Sequence, residues 1–234
     1  MAALAEEFKA PVFTHNSETE AEVLGCLKRH GMTPTAYLDS LGMFRYGGGG
    51  YHCIHMTDED LDIFRDRGMT VVTNPGSNVK LASGIARITD MMERGINLGI
   101  GTDGPASNNC LDMFREMFLT TALGKIREND AGAVPADQVL MMAVGGGARA
   151  MGLSDCDCLA VGKLADLVMI DLQQPNMQPM NHIVKNLVYS GSKVNVKLTM
   201  VNGRILYEDG AFRIGVEASA VYEKANEIIN RMKH

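Results

Sequence analysis

Between residues 10 and 150 the chain alternates short apolar runs with amphipathic stretches, and polar residues cluster at the end of each apolar run. Pro11 to His15, Tyr51 to His55, Met69 to Thr73 and Ile96 to Ile100 read as buried strands. Glu18 to His30 has helical spacing, with Val23, Leu24 and Leu27 on one face and Gly31 as a stop. Thr35 to Leu41 is a second short helix, and Gly47 to Gly50 a flexible run. Thr57 is placed to cap the next helix, with Asp60 at the capping-box position and Gly68 at the end. Further helices are predicted over Ile85 to Arg94, Leu111 to Glu128 and Ala136 to Met151, and residues 1–9 read as a helix tail. Strands that alternate with helices in this way run parallel, joined by crossovers.

The pattern changes after Gly152. Leu164 to Asp171, Val184 to Tyr189, Val194 to Val201 and Arg204 to Tyr207 are predicted as short strands, and Asn202-Gly203 is a hairpin dipeptide. Residues 217–234 read as a charged amphipathic helix. Three regions are therefore expected: an α/β part over residues 1–160, a β part over 161–215 and a terminal helix over 216–234.

In a parallel α/β barrel the C-terminal strand ends converge on one face, where active sites sit. The first unit carries His15 and Glu18 there, and the second carries His52 and His55. The third carries Asn74, Ser77 and Asn78, and the fourth Thr102 and Asp103. Two histidines and an aspartate converging suit a divalent metal. His55 reads as a wall residue, and His30, His182 and His234 read as structural.

Composition removes several classes. A net charge of -6 without a basic face argues against a nucleic-acid partner, and Lys28-Arg29-His30 reads as a solvated helix end. No apolar run approaches the ~20 residues a membrane helix needs, and Met1 to Lys9 lacks the pattern of a secretory signal. Five cysteines without framework spacing read as reduced thiols, so a cytoplasmic location is expected. Cys156-x-Cys158 has no second pair to make a zinc knuckle.

Specific strings carry a resemblance: Thr14-His15-Asn16-Ser17-Glu18-Thr19, Tyr51-His52-Cys53-Ile54-His55, the stretch from Asn74 to Gly84, and the stretch from Gly101 to Asn109. With the segment from Gly162 to Asp171, they resemble the amidohydrolase superfamily, in the branch that deaminates S-adenosylhomocysteine and methylthioadenosine. That resemblance implies the C-terminal half of a (β/α)8 barrel, strands five to eight, followed by part of a small β-sandwich. It implies one divalent ion, zinc ahead of iron, with His15 and Asp103 as ligands. Glu18, His52 and Asp103 would be catalytic: Glu18 shuttles a proton to a purine-type ring, His52 holds hydroxide, and Asp103 acts as base. Glu18 and Asp103 would also touch the substrate.

The family's His-x-His metal pair has no counterpart in this chain. A missing N-terminal half, or a second copy of the chain, is the expected partner, and the chain alone is expected to be inactive. Other readings are a guanine deaminase or chlorohydrolase of the same branch, and an inactive fragment that acts only in assembly or binding.

Overall fold

The computed structural model describes residues 1–233, so the reading of His234 as structural lies outside the described residues. After helix α1 (Ala2–Phe8) come β1 (Val12–Asn16), α2 (Glu20–His30), α3 (Pro34–Ser40) and β2 (Gly48–His52). Then follow α4 (Asp58–Asp66), β3 (Thr70–Thr73), α5 (Pro75–Lys80), α6 (Ile88–Glu93) and β4 (Asn97–Ile100). The helices α7 (Pro105–Asn108), α8 (Met113–Glu128), α9 (Ala136–Met141) and α10 (Gly147–Ala150) complete the first part. The strands form one sheet in the order β1-β2-β3-β4, and they run parallel as the alternation predicts.

Local chemistry explains the helix starts. Thr57 accepts from the Asp60 N–H at 3.2 Å while the Asp60 carboxylate accepts from the Thr57 N–H at 3.0 Å, closing the expected capping box. Thr33 also donates to Asp60, which ties the start of α3 to that of α4. The core lies between one sheet face and the helices, with Phe44, Leu61, Phe64, Val71 and Met91 sealed from solvent. On the other face, Phe13, Tyr51 and Val72 stay half-buried and line a cavity of about 910 Å³.

The structure corrects the flexible reading of Gly47 to Gly50: Gly48, Gly49 and Gly50 are β2 itself. A Cβ on Gly48 would stand 1.9 Å from the Val12 carbonyl oxygen, one on Gly49 2.4 Å from the Phe13 ring, and one on Gly50 2.4 Å from the Cys53 sulfur. Close packing, not looseness, requires glycine here. The strand expected to run to His55 stops at His52, where the backbone turns left-handed. The short helices α5 and α7 stand where no element was expected, each with proline at its first turn.

The helix expected over Ala136 to Met151 is broken by a π-helical turn at Met142–Gly146. That turn brings Gly146 against β4, and Asn97 Nδ2 donates to the Gly146 carbonyl at 3.1 Å. A Cβ on Gly146 would lie 1.9 Å from the Leu98 carbonyl oxygen, whereas one on Gly147 meets nothing within 4 Å. Gly146→Ala should therefore destabilise the chain by at least the ~1–3 kcal/mol of ordinary overpacking. Gly147→Ala should gain up to ~1 kcal/mol from helix propensity. Urea denaturation of both variants checks the contrast, and equal midpoints would refute the close-approach account.

The second part holds β5 (Leu167–Ile170), α11 (Ile183–Ser190), β6 (Val196–Val201), β7 (Arg204–Glu208) and β8 (Ala211–Phe212). Its strands form an antiparallel sheet in the order β5-β6-β7-β8. The strand expected at Val184 to Tyr189 is the helix α11 instead. Val184 and Val188, four residues apart, both face the core, and the His182 ring accepts from the Lys185 N–H at 3.4 Å as a cap. Packing against α8 and α9 overrides the local β-branched preference. The last helix, α12 (Ala218–Met232), buries none of its residues. Among the described residues no helix is long and apolar enough to cross a membrane.

Candidate active site

His15 lies near the C-terminal end of β1, with its side chain exposed. The turn beyond it is fixed from below: the N–H groups of Ser17 and Glu18 donate to the Glu22 carboxylate at 3.1 and 2.8 Å. The Glu18 carboxyl is left to face the sheet, with Ser83 Oγ donating to its Oε1 at 3.2 Å. Its Oε2 lies 3.8 Å from His52 Nε2.

His52 ends β2 and is 1% exposed. Its Nδ1 is 2.7 Å from Asn78 Oδ1. A carbonyl oxygen only accepts, so Nδ1 donates to Asn78 and Nε2 faces Glu18. The His15 ring stacks beside it, with centroids 5.4 Å apart and planes 24° apart.

Asp103 follows β4. Its Oδ2 accepts from Ser77 Oγ and Ser107 Oγ, each at 2.6 Å, and its Oδ1 from the Gly104 N–H at 2.7 Å. Burial pushes its pKa up, but those hydrogen bonds and the nearby His52 outweigh burial and hold it down to about 2. Because the folded pKa lies below the unfolded one, this group adds stability above the ordinary aspartate range. That stability is lost as the pH falls from about 3.8 toward about 2. Asp103→Asn should flatten this limb of the acid denaturation profile. Parallel profiles for the two proteins between pH 5 and 2 would contradict the network.

One short helix joins the two halves of this arrangement. Ser77 and Asn78, neighbours on α5, reach Asp103 and His52 respectively. Ser17, His52, Cys53 and Asp103 all have φ between 49° and 67°, a left-handed conformation that non-glycine residues adopt at a cost. Such strain collects at functional sites.

His15, Glu18, His52 and Asp103 thus all stand at the C-terminal ends of the parallel strands, as expected. Glu18, His52 and His15 form one cluster, and Asp103 joins it through α5. His55 is a wall residue, its Nε2 2.8 Å from the Ser83 carbonyl oxygen, and His30 stacks on Tyr37. Sequence reasoning gave no role to Ser83 or Ser107, whose only signal was their place in the quoted strings. An imidazole and a carboxylate are suitable donors for zinc, but no group of three His, Cys, Asp or Glu among the described residues could close round an ion. The donors fit in kind and fall short in number.

A parallel α/β sheet thus carries two histidines, a glutamate and an aspartate at its C-terminal strand ends. The chain belongs to the amidohydrolase family, whose match covers residues 1–206. It is 43% identical over 209 residues to the 5-methylthioadenosine/S-adenosylhomocysteine deaminase of Nitratidesulfovibrio vulgaris, covering 89% of this chain and 47% of that protein. It is 41% identical over 224 residues to the 5'-deoxyadenosine deaminase of Methanothermobacter thermautotrophicus, covering 96% of this chain and 52% of that one. Among solved structures, a zinc-bound adenosine deaminase from Xanthomonas campestris superposes with a TM-score of 0.93 at 35% identity, over 99% of this chain and 53% of its own. The chain spans about half the length of the relatives it matches.

Proposed function

We propose that this chain is the C-terminal half of a metal-dependent aminohydrolase that removes the 6-amino group from an adenine-type ring, as in S-adenosylhomocysteine or 5'-methylthioadenosine. In this reading β1 to β4 are strands five to eight of a (β/α)8 barrel, and residues 161–215 are part of a small β-sandwich. The observation that carries the reading is the Glu18–His52 pair at 3.8 Å, tied through α5 to the ionised Asp103. The deaminase names of the relatives support the substrate class.

His15 and Asp103 would hold a divalent ion, zinc ahead of iron, together with ligands from the remaining half. When bound, the ion makes hydroxide available near neutral pH by lowering the pKa of water. Asp103, a carboxylate at any working pH, accepts the proton from the attacking water. His52, held through Nδ1 by Asn78, orients that oxygen toward C6 of the ring through Nε2. Glu18 gives a proton to the ring nitrogen as charge builds there. Asp103 then passes its proton to the amino nitrogen, the new hydroxyl returns its proton to Glu18 as C6=O forms, the C6–N bond breaks, ammonia leaves, and an inosine-type product remains.

The test joins the chain to the preceding half of a curated relative and follows ammonia release from S-adenosylhomocysteine, guanine and a chlorotriazine. Release from the adenosine thioether alone supports the reading, and a preference for guanine or the triazine overturns the substrate class. The incomplete donor set favours a second reading, an inactive fragment that acts only in assembly or binding. Failure of the joined protein to retain zinc through dialysis would favour that alternative.

A further inference from the structure

Glu116 on α8 is 0% exposed, yet the proposed chemistry gives it no role. A carboxylate removed from water is costly unless its hydrogen bonds are well placed. Burial pushes its pKa up, and the Arg115 guanidinium approaches only to 3.9 Å. Its Oε2 accepts from the Gly76 N–H at 2.7 Å, and its Oε1 from Asn108 Nδ2 at 2.8 Å.

Those two partners belong to the two segments that orient the site. Gly76 precedes Ser77 and Asn78, which reach Asp103 and His52. Asn108 follows Ser107, which also reaches Asp103, and its Nδ2 donates to the Thr102 carbonyl at 2.6 Å. The approach is tight: a Cβ on Gly76 would stand 2.4 Å from Glu116 Oε1. An amide in place of the carboxylate would accept from one partner and point its own NH2 at the other.

We propose that Glu116 is a positioning residue: it clamps α5 to the Asp103–Asn108 turn, and so fixes the orientation of His52 and Asp103 relative to each other. The proposal rests on the reading of those two residues as the site, but not on which reaction they perform. It goes beyond packing, because it makes the state of the His52 ring depend on a side chain that does not touch it.

The test reads the His52 ring by long-range 1H–15N NMR on the full chain labelled in histidine. The native chain should show the hydrogen on Nδ1. Glu116→Gln should shift the ratio of the two ring forms about tenfold toward Nε2–H, a change of about 1.4 kcal/mol. Asn108→Ala, which removes one arm of the clamp, should shift it in the same direction. Val139→Ala is the control, since Val139 is fully buried on α9. It should lower the Tm without moving the His52 signal. An unchanged ring in both clamp variants overturns the proposal, and so does unfolding of both, which would make Glu116 a structural residue only. Because no turnover is measured, failure of the aminohydrolase reading leaves this result intact.

Discussion

Glu18→Gln, in the enzyme completed with a preceding half, should lower turnover by about 10²–10⁴-fold and leave the bound metal in place. Glutamine keeps the shape of the side chain and the oxygen that accepts from Ser83. It has no acidic proton to give the ring nitrogen. Glu18 also lies 3.8 Å from His52 Nε2, so the change leaves that histidine facing an amide. Asp103→Ala should lose both turnover and metal, since in the proposed reading it removes a ligand and the proton acceptor together. Kinetics with S-adenosylhomocysteine, alongside zinc analysis of each variant, separates the two roles. Full turnover in Glu18→Gln would end the proton-shuttle assignment.

The isolated chain, given zinc or iron and S-adenosylhomocysteine, should release almost no ammonia. In the proposed reading His15 and Asp103 would supply two ligands, and a catalytic zinc typically needs three protein ligands and an open position. His52 could serve as a third only by giving up the Nε2 that would orient the water. In the proposed reading the groups that position the substrate lie in the preceding half, and in well-oriented cases positioning contributes roughly 7–11 kcal/mol to lowering a barrier. Together these losses should hold the rate far below the ~1–10³ per second common among enzymes. Ammonia release that appears only after a separately expressed preceding half is added would support this account. Robust turnover by the chain alone would refute it.

The parallel direction of the strands was legible because hydrophobic periodicity is a local property. β1, β3 and β4 each carry their own apolar signal, and alternation with helices dictates parallel pairing. The capping box at Thr57 was legible for the same reason, since its partners are three residues apart. Two elements were misread because their packing partners are remote. The glycines of β2 carry no apolar signal, and only contact with Val12, Phe13 and Cys53 shows why they form a strand. The residues of α11 favour a strand locally, but burial of Val184 and Val188 against α8 and α9 makes them a helix.

The site divides along the same line. The sequence by itself determined the chemistry available, because His15, Glu18, His52 and Asp103 recur at strand ends in family order. Tertiary structure alone decided how those groups are held. The His52–Asn78 bond spans 26 residues of chain and the Glu116–Gly76 bond spans 40. No spacing rule reaches that far: such pairs meet only when helices pack on a sheet and bring separate loops to one end of it.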